Sequence, residues 1–84
     1  MDKLDKEIFE NASKHLNREK AKSICAISIQ QDLDGIKVSE DFCRKHGEAL
    51  IYLEGTGELE RVQEEIFNSD WYNSYFDEKG NLAK

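Results

Sequence analysis

Histidine and cysteine are scarce in this chain of 84 residues, and together they supply four side chains that are typical zinc ligands. They are His15, Cys25, Cys43 and His46. A structural zinc site needs four such ligands close together, yet only Cys43 and His46 are near enough in sequence to share a helix face. No CxxC pair or dense cysteine pattern occurs. We therefore predict no metal or other cofactor, and two reduced cysteines that pack as small core residues.

A second group of oxygen ligands lies in residues 30–41, QQDLDGIKVSED. This segment resembles the calcium loop of the EF-hand family at its third, fifth and sixth positions, which are Asp32, Asp34 and Gly35. Gln30 and Lys37 depart from the family pattern, and Asp41 at the twelfth position is one methylene shorter than the glutamate of the family. We therefore interpret the segment as a capped turn between two helices, and keep a small metal- or ligand-binding module at 30–41 as an alternative function.

Catalytic chemistry finds little support in the sequence. The short glycine pair Gly55-Thr56-Gly57 precedes a helical segment, where a phosphate could bind. Glu58 and Glu60 place negative charge at the same turn, and no lysine follows. No nucleophile with a placed base is recognisable, so we predict that the protein is not an enzyme.

The charge is divided unevenly along the chain. Residues 1–45 hold nine acidic and nine basic side chains, whereas residues 46–84 hold nine acidic and three basic ones, so the net charge of −6 belongs to the second half. An acidic surface suits a basic protein partner and disfavours nucleic acid. The basic segment Lys14–Lys22, with four bases and Glu19, leaves weak nucleic-acid binding as a second alternative function.

Four of the eight aromatic residues lie within six positions of the acidic half: Trp71, Tyr72, Tyr75 and Phe76. On a helix they occupy two adjacent faces, only one of which can be fully buried. Aromatic residues are enriched in the energetically dominant part of interfaces. We therefore predict a non-catalytic protein-interaction domain, such as a small inhibitor, immunity-type or adaptor protein. The predicted partner-binding residues are these four aromatics with Glu60 and Glu64, and the partner is a protein with a basic or mixed surface, or a second copy of the chain.

Hydrophobic periodicity predicts a mainly α fold, a compact single domain of four to five short helices with a frayed tail at 77–84. Asn17 and Ser39 are suitable N-caps for the second and third helices. Two points stay open: residues 24–29 and 49–53 could instead be short strands of an α+β fold, and Gly47 could end a helix or lie within one.

The start of the chain is charged and its longest apolar run is only Ala49 to Leu53. Neither feature is typical of a signal peptide or a membrane span. We therefore expect a soluble, cytoplasmic protein.

Overall fold

The computed structural model describes residues 3–82, and within them it contains five α-helices and no strand. The helices are α1 (Lys3–Ala12), α2 (Arg18–Leu33), α3 (Glu40–Thr56), α4 (Leu59–Phe67) and α5 (Asp70–Asn73). The predicted mainly α class is confirmed. The α+β alternative is wrong, because residues 24–29 lie inside α2 and residues 49–53 lie inside α3.

The ends of α2 follow from its capping residues. The Asn17 side chain accepts a hydrogen bond from the backbone N–H of Lys20, with 2.8 Å between the atoms. At the other end Gly35 adopts φ +72°, a left-handed conformation that glycine tolerates best. This turn lets the N–H of Ile36 donate to the carbonyl of Gln31 at 2.9 Å, which satisfies one of the last carbonyls of the helix.

Helix α3 begins where the Ser39 hydroxyl accepts a hydrogen bond from the Phe42 N–H at 3.1 Å, as predicted. It continues without interruption through Gly47 and Gly55. Gly57, at φ +77°, ends it. The interpretation in which Gly47 ends a helix is therefore wrong, because the capping glycine conformation occurs ten residues later.

The long helix α3 is the centre of the packing and contacts α1, α2 and α4. The core between α2, α3 and α4 consists of buried side chains, several of them small: Ala21, Cys25, Ala49, Leu53, Val62 and Ile66. Helix α1 adds the buried Ala12 and a stack of Phe9 on Tyr52, with ring centroids 5.8 Å apart. Cys25 is a core residue as predicted, whereas the same prediction for Cys43 is wrong because that thiol lies on the exposed side of α3.

The C-terminal segment is helical only at its start. Helix α5 covers only Asp70–Asn73, and the chain then turns back so that Phe76 and Leu82 form an isolated antiparallel bridge. The Asp77 carboxylate accepts hydrogen bonds from the N–H groups of Lys79 and Asn81, both at 2.9 Å. Fraying of 77–84 stays a prediction, and residues 83–84 lie outside the described part of the chain.

Substitution by alanine should have opposite effects on stability at Gly47, inside α3, and at Gly57, which ends it. A Cβ at Gly47 meets no atom within 4 Å, so we expect Gly47→Ala to stabilise the protein by about 0.5–1 kcal/mol through helix propensity. The melting temperature should rise by roughly 2–8 °C. Gly57→Ala should instead cost about 1 kcal/mol, because its φ is left-handed.

Thermal unfolding followed by circular dichroism at low protein concentration measures both changes. A fall in melting temperature for Gly47→Ala, or a gain for Gly57→Ala, would contradict the assignment of Gly47 to a helix interior and Gly57 to a left-handed cap.

Candidate protein-binding site

Helix α4 carries acidic residues on two different faces, and one face is neutralised inside the molecule. Arg18 at the start of α2 reaches both Glu58 and Glu65, with Nε of Arg18 3.4 Å from Oε2 of Glu58. Lys22, one turn further along α2, places Nζ 2.8 Å from Oε1 of Glu65. Part of the negative charge of the second half is therefore balanced by bases of the first half.

These ion pairs shift the titration of their members. The pKa of Glu65 falls from its ordinary value of 4.5 to about 2, chiefly because Arg18 donates a hydrogen bond to the carboxylate and secondly because Lys22 does so. The same hydrogen bond to Glu65 raises the pKa of Arg18. Glu65 is thus held in its charged form by two donors from another helix.

The other acidic face of α4 has no such compensation. Glu60 and Glu64 are exposed, and within residues 3–82 neither carboxylate has a basic side chain at ion-pair distance. They are four residues apart, and Phe67 follows Glu64 by three, so all three share one face of the helix. Phe67 is 45% exposed. Two free carboxylates and an exposed aromatic ring therefore lie next to one another on the same face of α4.

Phe67 belongs to a cluster of aromatic rings centred on Tyr72. The Tyr72 ring centroid is 5.1 Å from that of Phe67, 5.1 Å from that of Phe76 and 6.1 Å from that of Trp71. The rings meet at tilted or edge-on angles, which aromatic pairs prefer. Trp71, Tyr72 and Phe76 are each half-buried, and Trp71 also packs against the core. We call Phe67, Trp71, Tyr72 and Phe76 the aromatic patch.

Tyr75, the remaining aromatic residue of the predicted site, has a different position. It is only 7% exposed, and its hydroxyl donates a hydrogen bond to Oδ1 of Asp34 at 2.8 Å. This bond raises the pKa of Tyr75. The contact joins the C-terminal segment to the end of α2, so Tyr75 positions the neighbouring patch and offers little surface of its own.

Phe67 is not among the binding residues predicted from sequence, although its position on the helix distinguishes it from the buried residues of α4. At 3.6 residues per turn Phe67 is rotated by about 140° from Val62, which is toward the face of Glu60 and Glu64. Helical geometry could therefore have separated Phe67 from the core residues. Val62 and Ile66, which are four residues apart, are both buried.

The basic segment Lys14–Lys22 is partly occupied by the internal ion pairs. Arg18 and Lys22 bind the acidic residues of α4, whereas Lys14 and Lys20 are exposed. Only half of the bases considered for nucleic acid therefore remain available for a phosphate backbone.

The segment considered for calcium is not an open loop. Residues 30–33 belong to α2 and residues 40–41 to α3, so only residues 34–39 connect the two helices. Asp34 accepts the Tyr75 hydrogen bond, and Asp41 lies 3.3 Å from Arg44. In the described part of the chain, no three His, Cys, Asp or Glu side chains lie close enough to hold a metal ion.

The four residues considered for zinc are dispersed. Cys25 is in the core, where burial raises the pKa of its thiol, and Cys43 is exposed. His46 shares a hydrogen bond with Ser28 at 3.2 Å, and burial lowers the pKa of its ring. His15 lies 3.4 Å from a carboxylate oxygen of Glu48. Each of these side chains has separate surroundings.

Comparison with known proteins gives no relative. No protein-family model matches the chain, and no curated protein and no solved structure is significantly similar to it. Among residues 3–82, none of the helices combines the length and the apolar character that crossing a bilayer requires.

The Glu65 ion pairs should make stability depend on pH. Because folding lowers the pKa of Glu65 from 4.5 to about 2, its contribution is fully present above pH 4.5 and disappears as the pH falls toward 2. Glu65→Gln should therefore lower the free energy of unfolding at pH 7, and the gap to wild type should narrow between pH 4.5 and 2. Urea titrations across this range measure the gap.

Glu64→Gln is the matched control, since it removes the same charge one position away without breaking an ion pair, and it should change stability little at pH 7. A Glu65→Gln protein as stable as wild type at pH 7, or a gap that persists unchanged to pH 2, contradicts the described network.

Proposed function

We propose that this protein is a non-catalytic interaction domain, of the inhibitor or adaptor type, that binds a basic surface of another protein. The binding surface consists of the aromatic patch with Glu60 and Glu64. The observation that carries the proposal is that a partly exposed aromatic cluster is continuous, through the exposed Phe67, with two carboxylates that have no internal partner.

The aromatic patch is suited to binding because its rings already hold one another in place. Tyr72 contacts the other three rings, so little side-chain freedom remains to be lost when a partner covers them. Large aromatic side chains that become desolvated at the centre of an interface contribute most of its affinity. Tyr75 supports this arrangement by attaching the segment to Asp34.

The free carboxylates determine which sign of surface charge the partner must have. Glu60 and Glu64 flank the patch on α4, and Asp70 is exposed at the start of α5. Pairing of this surface with a second copy of itself would bring like charges together, which costs several kcal/mol in interfaces. A basic partner gains attraction instead, and the net charge of −6 steers its approach over a distance of roughly a Debye length.

Two variants separate the roles of charge and aromatic contact. Glu60→Gln with Glu64→Gln removes two exposed charges and should slow association with the partner several-fold, with little change in dissociation. Phe67→Ser removes an exposed ring and should speed dissociation roughly tenfold. The partner is first captured from lysate of the source organism on immobilised wild-type protein, and rates are then measured by surface plasmon resonance.

Matched controls lie elsewhere on the surface. Glu7→Gln with Glu10→Gln removes the same charge from α1, and Ile36→Ser removes an apolar side chain of comparable exposure from the α2–α3 connection. Both controls should bind as wild type does. The proposal is contradicted if the site variants and the controls change binding equally. It is also contradicted if no captured protein loses binding when the site residues are changed or the salt concentration is raised.

A further inference from the structure

A hollow of about 360 Å³ lies between α1 and α3, away from the aromatic patch. Ile8 of α1 and Ile51 of α3 provide its apolar walls, and Gly47 lines it in the middle of α3. Arg44 and Glu48 form its charged rim and also border a second hollow of about 450 Å³. The apolar surface continues at Leu4, one helical turn from Ile8, which is 64% exposed.

Internal packing gives no reason for a glycine at position 47. A Cβ built there meets nothing within 4 Å, and glycine inside a helix costs about 1 kcal/mol relative to alanine. Without a side chain at this position the α3 backbone stays open to close approach from outside. An approaching helix could thus place its own side chains in the hollow, as ridges pack into grooves between helices.

The charges on the rim indicate which kind of partner surface can bind over the hollow. Arg44 and Glu48 have opposite signs and are one turn apart on the same face of α3. Within one chain they contact Asp41 at 3.3 Å and His15 at 3.4 Å, and the Arg44 side chain is 69% exposed, so its guanidinium can also reach a carboxylate from outside. When two copies of α3 cross antiparallel near residue 46, Arg44 of each copy faces Glu48 of the other. The arrangement is self-complementary, which is what a twofold symmetric interface requires.

We propose that two copies of this chain pair through the α1–α3 hollow, with α3 crossing α3 near residue 46, beside Gly47. Leu4, Ile8 and Ile51 would be covered by the second copy, and two symmetric Arg44–Glu48 ion pairs would form at the rim. This inference goes beyond the proposed function and uses none of its residues.

The dimensions of the molecule allow such a pairing. It measures 43 × 26 × 20 Å, and its radius of gyration of 14.1 Å exceeds the roughly 12 Å typical of a domain this long. A standard interface buries about 800 Å² on each partner, roughly an eighth of the 6065 Å² surface of this chain.

Sedimentation equilibrium from micromolar to near-millimolar concentration tests the proposal on the full chain. We expect the average mass to rise with concentration from 9.7 kDa toward twice that value. Gly47→Glu should abolish the rise, because its side chain occupies the hollow. The monomer tolerates this variant, since the site is open and glutamate favours the helix.

Exchanging the charges at positions 44 and 48 tests how the two copies of α3 are aligned. Arg44→Glu places two glutamates opposite each other at each end of the crossing and should weaken dimerisation roughly tenfold or more. Adding Glu48→Arg to the same chain restores opposite charges and should restore dimerisation. Gln63→Glu, which adds the same charge as Gly47→Glu on the exposed side of α4, is the matched control and should dimerise as wild type does.

A wild-type mass that stays at 9.7 kDa throughout the range overturns the inference. A dimer that persists in Gly47→Glu also overturns the inference, and so does a dimer that is lost in Phe67→Ser. Circular dichroism of each variant establishes that it is folded. Because the proposed function is tested on Phe67, Glu60 and Glu64, either proposal can fail while the other holds.

Discussion

The rotation of α4 about its axis is the constraint on which the exposed surface of this structure depends, and it is set by apolar burial together with ion pairs to the start of α2. A nine-residue helix such as α4 is too short to be stable alone, so it forms because its neighbours hold it. Val62 and Ile66 bury its apolar side, while Arg18 and Lys22 bind Glu58 and Glu65 beside that side. Together these contacts set the rotation of α4 about its axis.

That rotation decides which charges and rings face outward. With Glu58 and Glu65 turned toward α2, Glu60, Glu64 and Phe67 face solvent on the opposite side. Tyr75 then holds the following segment against Asp34, which places the rings of Tyr72 and Phe76 next to Phe67. The surface proposed for binding is therefore a consequence of how α4 packs, and its acidity is the charge that remains after Arg18 and Lys22 have neutralised part of α4.

The local features of the fold could be predicted from sequence because they depend on neighbouring residues. Asn17, Ser39 and Gly35 act within a few positions of themselves, and each ends or begins a helix as expected. The choice between helix and strand for residues 24–29 needed the packing of α2 on α3. The pairing of Arg18 with Glu65 joins residues 47 positions apart, which no local pattern encodes. The charge asymmetry of the two halves was visible in sequence, but its partial cancellation across the α2–α4 contact was not.

Arg18 and Lys22 neutralise one acidic face of α4 and leave the other free. Titration of the glutamate side chains by carboxyl-carbon NMR, in the wild type and in an Arg18→Met variant, tests this directly. We predict a pKa of about 2 for Glu65 in the wild type, moving back toward 4.5 when the guanidinium is removed. A wild-type Glu65 that titrates near 4.5 would contradict this, because Arg18 and Lys22 would then not hold the Glu65 carboxylate in its charged form.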